Sequence, residues 1–159
     1  MSAGTGVPLE DGRQSPRALA IRRGTLRLLA NLDLFALPEV TLASGRRADL
    51  LAVSAKGEIV IIEIKSSRSD FLTDRKWTEY RQFCDRFYFA TAPDVDETLF
   101  PDDVGLIIAD GYSAAMVRES PLHTLAAARR KTLLIRLARL GAARISLLTD
   151  PAIGIAEPS

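Results

Sequence analysis

The sequence is poor in two residue types that build many active sites: it has one cysteine, Cys84, and one histidine, His123. A single cysteine excludes an intramolecular disulfide and favours a reducing compartment. The same counts exclude a zinc site made of several cysteines and histidines. Cys84 stands at helical spacing from Tyr80 and has no histidine nearby in the sequence, so we interpret it as a core residue rather than a catalytic thiol.

Long apolar runs and a large net charge are also missing. No run approaches the roughly 20 apolar residues that span a bilayer, and the formal net charge is only +1. Residues 1–15 contain neither a basic segment nor an apolar one, so no signal peptide is recognised. We therefore expect a cytoplasmic protein without a membrane partner. We predict a disordered lead-in over residues 1–15, a single domain over 16–148 and a loose tail over 149–159.

The charges are unevenly distributed along the chain. Between Ser120 and Thr149 there is no acidic residue. The basic residues of that segment are Arg129, Arg130, Lys131, Arg136, Arg139 and Arg144. An acidic, proline-containing loop lies upstream, from Asp94 to Asp103. A basic helix suits contact with phosphate, although arginines on the outer face of a helix often serve solubility alone.

Hydrophobic periodicity predicts nine elements. A helix from residue 17 to about 31 starts at Ser15-Pro16, a cap residue followed by proline. Short strands near residues 39–42, 48–53 and 58–65 follow so closely that an antiparallel meander is expected.

The second half continues with helix and strand signals. We predict a helix from Thr73 or Asp74 to about Cys84, capped at its start, and strands at 87–90, 106–109 and 114–117. A long basic helix is expected to start at Ser120-Pro121 and to end near Gly141. The order α-β-β-β-α-β-β-β-α predicts an α/β fold, a mixed β-sheet flanked by helices.

Two acids and a lysine stand at the ends of two apolar strands. Asp49 opens the run 50–53, and Glu63 and Lys65 close the run 59–62. Because side chains alternate along a strand, Glu63 and Lys65 share one face, about 7 Å apart. A register with Asp49 opposite Glu63 would put both carboxylates on that face, where they repel each other unless a cation lies between them.

Two carboxylates are natural ligands for a hard divalent cation, and the backbone carbonyl of Ile64 could supply a further oxygen. Such a cation activates water and stabilises charge on a phosphate, and Lys65 would orient the water or balance the charge. The alternative is ordinary: an acid-x-lysine pair at a strand end is often a solvated ion pair. Asp49 could equally pair with Arg46 or Arg47.

At these residues the chain resembles the PD-(D/E)xK nuclease superfamily, with its restriction-endonuclease-like core of helix, three-strand meander, helix and strand. Asp49 and Glu63-Ile64-Lys65 match the two motif elements, while Ala48 replaces the proline of the first. Further downstream the chain resembles the MmcB family of bacterial DNA repair proteins. The residues that carry this resemblance are Ser69-Asp70-Phe71, Asp74-Arg75-Lys76-Trp77, Cys84 to Ala90 and Ala128 to Lys131.

The resemblance implies a bacterial DNA repair protein, linked to the DNA damage response and mutagenic synthesis and associated with the nucleoid when it acts. It implies Asp49, Glu63 and Lys65 as the catalytic set and a Mg2+ or Mn2+ ion held by Asp49, Glu63 and the Ile64 carbonyl. Many superfamily members add a glutamate from the first helix. Residues 17–31 contain no acid, so Asp33 or Glu39 would have to replace that glutamate. Glu39, on the first strand, is the better placed of the two.

We expect contacts with DNA from residues around this site and from the last helix. The candidates are Arg46, Arg47, Arg68, Lys76, Tyr80, Arg129, Arg130 and Lys131. No element offers base-edge readout, so branched or single-stranded DNA is expected rather than a sequence-specific site. The predicted function is metal-dependent hydrolysis of DNA phosphodiester bonds. The alternatives are a non-catalytic DNA-binding or adaptor protein that recruits other repair or translesion synthesis proteins, and a protein-recognition module that uses the acidic loop.

Overall fold

The computed structural model describes residues 15–159. Its elements, in chain order, are α1 (Pro16–Asn31), β1 (Phe35–Thr41), β2 (Arg47–Val53), β3 (Ile59–Lys65), α2 (Arg68–Thr73), the 3-10 helix η1 (Trp77–Phe83), β4 (Arg86–Thr91), the 3-10 helix η2 (Glu97–Leu99), β5 (Gly105–Ala109), β6 (Ala114–Arg118) and α3 (Ala127–Thr149). The predicted lead-in lies outside the described residues except for Ser15, whose hydroxyl caps α1 by accepting the Ala18 N–H. No helix within residues 15–159 is long and apolar enough to cross a membrane.

The six strands form one sheet in sequence order. Strands β1, β2 and β3 form the predicted antiparallel meander. The next two pairs, β3 with β4 and β4 with β5, are parallel, and β6 closes the sheet antiparallel to β5. The mixed sheet and the predicted order of helices and strands are therefore confirmed, and they match the core that the superfamily resemblance implies.

Strand β3 is the centre of the core because both of its faces are covered. Residues 59–64 are all buried. On the face of Ile61 and Glu63, the paired β4 residues are Phe87 and Phe89, and rings from α2 and η1 pack against those two phenylalanines. Helix α1 contacts β3, β4 and β5 and covers the opposite face. Cys84 is buried beside this core, and burial raises the pKa of its thiol to about 12, as expected for a core residue.

The prediction for the second helix was wrong, because a helix ends where one was expected to begin. Helix α2 ends at Thr73, and the carboxylate of Asp74 accepts the Lys76 N–H at 2.9 Å. This side-chain bond to a nearby amide favours a turn over a continued helix. The chain resumes as the 3-10 helix η1, whose Trp77 and Tyr80 rings stack on Phe87. Tertiary packing of these aromatic rings therefore decides the local conformation.

The start and end predicted for the last helix were also wrong. The Ser120 hydroxyl accepts the Phe87 N–H and donates to the Pro121 carbonyl, so it serves strand β4 rather than a helix N-terminus. Helix α3 begins seven residues later, at Ala127, and continues through Gly141 to Thr149. Gly141 lies against Leu37 of β1, a contact between helix and sheet that the sequence did not reveal.

The first strand is longer than predicted, and it is an edge of the sheet. It includes Pro38, and proline is tolerated in an edge strand because it has no N–H to donate to a ladder. The carbonyl oxygens along this edge accept hydrogen bonds from α3. Arg136 donates to the Thr41 carbonyl, and Arg144 donates to those of Pro38 and Glu39. The helix therefore satisfies an edge that would otherwise be open to another strand.

Asp85 joins three parts of the domain through one buried carboxylate. It accepts the N–H groups of Ile59 in β3 and Leu125 before α3, each at 2.8 Å. Two further bonds come from the Arg130 guanidinium, at 2.5 and 2.7 Å. The carboxylate is 3% exposed. A paired, fully hydrogen-bonded group of this kind is expensive to disrupt from one side, since its partners stay buried.

We expect Asp85→Ala to lower the free energy of unfolding by about 3–5 kcal/mol, because it removes the carboxylate partner of Arg130 and the acceptor of two backbone amides. Urea denaturation followed by Trp77 fluorescence measures the change. Asp102→Ala is the control, since the exposed Asp102 side chain makes only a long ion pair with Arg118, at 3.6 Å. Equal midpoints for Asp85→Ala and the wild type would contradict the central role of Asp85.

Candidate functional site

The structure brings Asp49 and Glu63 together at the open end of the β2–β3 hairpin. The pairing Leu50↔Ile62 places Asp49 opposite Glu63 one position further on. There the two side chains bond across the strands. The Asp49 N–H donates to Glu63 Oε1 at 3.0 Å, and the Ile64 N–H donates to Asp49 Oδ2 at 2.8 Å. Both carboxylates therefore occupy fixed positions on the face covered by α2 and η1.

The electrostatic environment of Glu63 disfavours a second negative charge. Its pKa is raised well above the usual range, first by burial and then by the charge of Asp49, and the Asp49 N–H and the charge of Lys65 only partly offset this. Glu63 is 5% exposed. A buried carboxylate beside another carboxylate needs either a proton or a cation. This is the environment in which a bound divalent ion would relieve repulsion.

Lys65 lies two positions beyond Glu63 on the same strand face, as predicted. Its ion pair, however, is with Asp74, which is not among the predicted site residues. Its Nζ is 2.7 Å from Oδ2 of Asp74. Burial alone would raise the pKa of Asp74. Hydrogen bonds from Lys65, from the Lys76 N–H and from the Trp77 N–H outweigh it, and the pKa is lowered. The sequence pattern favours Asp74 only as a helix cap, and nothing in that pattern indicates the ion pair with Lys65.

Tyr80 closes the site from η1. Its hydroxyl donates to the Arg47 carbonyl at 3.0 Å. Its pKa is raised by burial first, and then by the negative charges of Glu63, Asp49 and Asp74. The Tyr80 phenol is therefore within electrostatic range of all three carboxylates. Tyr80 is therefore both part of the core and a wall of the site.

The remaining rim residues are mostly exposed. Arg47, Arg68 and Lys76 present their side chains to solvent, and Arg46 is partly exposed. The Arg46 guanidinium is 2.8 Å from Glu79, so the β1–β2 turn is tied to η1 across the edge of the site. Lys76 is the cap residue before η1, and Tyr80 lies within η1.

Glu39 lies at the position opposite Asp49 on β1, but the strand is irregular there. Its φ of 53° is in the left-handed region, and the neighbouring pairs, Pro38↔Leu50 and Val40↔Ala48, omit it. Glu39 lines a groove beside α3. Within residues 15–159 no group of three or more acids, histidines or cysteines is gathered as a metal site. The structure therefore brings together two of the predicted carboxylates and does not add the third.

The basic residues of α3 are largely used inside the domain. Arg130 holds Asp85. Arg129 donates to the Gln82 carbonyl and lies over the Phe83 ring. Together with the edge contacts of Arg136 and Arg144, these bonds account for four of the six basic side chains. Lys131 and Arg139 are exposed on the helix surface.

The raised pKa of Glu63 predicts how stability depends on pH. Glutamate in an unfolded chain titrates near pH 4.3, so above that pH the native protein binds more protons than the unfolded one and loses stability as the pH rises through the raised pKa. Glu63→Gln keeps the acceptor for the Asp49 N–H but removes this loss. In metal-free buffer, thermal unfolding of the variant should therefore improve relative to wild type from pH 4 upward. A constant difference across the pH range would contradict the raised pKa.

A solved structure of a protein of unknown function from Silicibacter pomeroyi is 38% identical, with a TM-score of 0.85, over 91% of this chain and 98% of that one. A repair endonuclease from Pyrococcus abyssi aligns at 16% identity over 57% of this chain and 42% of that one, and its TM-score of 0.37 is too low to support an argument. No curated protein matches the chain.

The family comparison covers nearly the whole sequence. The model described as DNA repair protein MmcB-like matches residues 5–152. That span contains all the residues of the candidate site, and it confirms the resemblance that the motifs carried. The chain belongs to the MmcB-like family of DNA repair proteins.

Proposed function

We propose that the protein is a metal-dependent nuclease that hydrolyses DNA phosphodiester bonds at Asp49, Glu63 and Lys65. The observation that carries this proposal is the carboxylate pair of half-buried Asp49 and buried Glu63, held opposite each other by two backbone hydrogen bonds at the end of the hairpin. Two carboxylates placed so close repel each other, and a bound cation relieves that repulsion. Membership in a DNA repair family makes DNA the substrate to test first.

The donors fit a hard divalent cation such as Mg2+ or Mn2+. Asp49 and Glu63 offer carboxylate oxygens, and the Ile64 carbonyl is the proposed third ligand. Two carboxylates suffice for such an ion, which usually keeps several waters and takes further contacts from phosphate. When bound, the ion supplies a more acidic water and charge stabilisation for the phosphate. Glu39 is a weaker candidate ligand, because the described residues gather no group of three acids.

The protein side chains divide the remaining tasks. Lys65 supplies a positive charge on the same face as Glu63, suited to balance the negative charge that develops on the phosphate. Arg46, Arg47, Arg68 and Lys76 surround the site and are proposed to hold the DNA backbone. Such contacts position a strand without reading its sequence. Branched or single-stranded DNA is the proposed substrate, in a repair process linked to mutagenic synthesis.

A second candidate function is a non-catalytic DNA-binding or adaptor protein that recruits other repair or translesion synthesis factors. One observation favours it: both carboxylates already accept backbone N–H bonds, and Glu63 is almost completely buried. In this alternative the pair, with a shared proton, joins the two strands and never meets a substrate.

Cleavage of labelled single-stranded, duplex and branched DNA with Mg2+ or Mn2+ distinguishes the two functions. The nuclease should cut only with the metal, and Glu63→Gln should lower the rate by about 100-fold or more, since it removes a ligand charge. Glu58→Gln is the matched control, because Glu58 pairs with Arg86 at the other end of the same strand. Metal-independent binding without cutting, by all three proteins, would favour the adaptor.

DNA affinity should depend on the rim of the site more than on α3. We expect Arg68→Ala with Lys76→Ala to weaken binding and to reduce the slope of log affinity against log salt by about 2, one for each lost phosphate contact. Arg22→Ala with Arg23→Ala, on α1 across the sheet, is the control. Fluorescence anisotropy at several salt concentrations measures both. Loss of affinity from Lys131→Ala with Arg139→Ala instead would place the DNA along α3.

A further inference from the structure

Asp74 is a shielded carboxylate next to the proposed site with no role in the function argued so far. Its side chain is 19% exposed and that of Lys65 is 12% exposed, and their oxygen and nitrogen are 2.7 Å apart. The second oxygen, Oδ1, accepts the Lys76 N–H at 2.9 Å. A carboxylate held by a backbone amide on one side and an ammonium on the other has little freedom to move.

The position of Asp74 in the chain links the lysine to the segment that covers the site. It follows α2 directly and precedes η1, the 3-10 helix that carries Tyr80. The charges of Glu63, Asp49 and Asp74 all raise the pKa of Tyr80. The Asp74 side chain therefore contacts both the Lys65 ammonium and the residue that precedes η1, the segment that carries Tyr80.

The ion pair also fixes the position of the Lys65 charge. A charge-assisted hydrogen bond to an anchored carboxylate limits the positions that the ammonium group can take. Lys65 lies two positions beyond Glu63 on the same strand. Its charge is therefore held near the carboxylate pair at which the proposed function places a phosphate.

We propose that Asp74 is a positioning residue that holds the Lys65 side chain beside the Asp49–Glu63 pair, where its positive charge can act on the phosphate. The inference rests on the proposed nuclease function for its catalytic consequence. The positioning itself can be measured without any activity. A fixed charge in a site screened from water costs no reorganisation when the reaction occurs, which is why its placement matters.

The first experiment measures how readily Lys65 is acylated in the full-length protein. The chain has four lysines, and Lys56 and Lys131 serve as internal references in a mass-spectrometric comparison, because the backbone of Lys76 bonds to Asp74 itself. Asp74→Asn should raise the labelling rate of Lys65 several-fold over the references, because the amide cannot hold the ammonium. Asp74→Glu should restore protection.

The matched control for labelling is Asp70→Asn. Asp70 lies on α2, four residues before Asp74, and its carboxylate bonds to Ser66 rather than to Lys65. It should leave the labelling of Lys65 unchanged. Equal labelling of Lys65 in wild type and Asp74→Asn would overturn the proposal whether or not the protein cuts DNA. Equal rises in Asp70→Asn and Asp74→Asn would also overturn it, since loosening of α2 would then be the cause.

The second experiment applies where the wild type cleaves DNA. Asp74→Asn should lower kcat by about 100-fold with little change in KM, as for a misplaced catalytic group. Lys65→Arg should keep measurable activity because it keeps the charge, while Lys65→Met should lose it. A freed Lys65 with unchanged kcat, or an inactive Lys65→Arg with intact folding and DNA binding, would overturn the proposal. Failure of the wild type to cut any substrate would count against the nuclease alone, and labelling would still decide on Asp74.

Discussion

The contact on which the rest of this structure depends is the reciprocal bonding of Asp49 and Glu63 across the end of one hairpin. Each carboxylate accepts an N–H from the opposite strand, so the side chains extend the strand pairing past its last regular residue pair. Glu63 lies on β3, the strand at the centre of the core with both faces covered. The two acids are therefore joined to a buried, central strand. Positions fixed in this way suit a site that must keep its geometry while a substrate binds.

The basic helix α3 shows how a charge pattern can arise from the needs of the fold. Arg136 and Arg144 satisfy carbonyl groups along the edge strand β1, and Arg130 neutralises a buried acid. An exposed edge invites pairing with another chain, and covering it with charged side chains prevents this. The run without acids between Ser120 and Thr149 is consistent with this role, since an acid there would compete for the arginines. The proposed DNA contacts then fall to Lys131, Arg139 and the rim of the site.

The parts of the structure that follow from short-range rules could be predicted from the sequence. Alternation of side chains and a tight turn place Asp49 opposite Glu63, and hydrophobic runs identify the strands and their order. The parts that were missed depend on distant partners. Ser120 fits the signature of a helix start, but its hydroxyl is taken by Phe87, thirty-three residues away. Asp74 fits a cap, yet its partner Lys65 lies on another element. Neither contact has a local pattern that would reveal it.

The contacts around Glu63 are consistent with the cation that the proposed function requires. Lys65 is the nearest lysine along the strand and could have neutralised Glu63, yet its ammonium is taken by Asp74. Burial and the charge of Asp49 therefore keep the pKa of Glu63 high in spite of the neighbouring lysine. A purely structural pair would be stabilised by directing that lysine to Glu63. In the proposed function, a divalent cation would supply the positive charge that compensates Glu63 and Asp49.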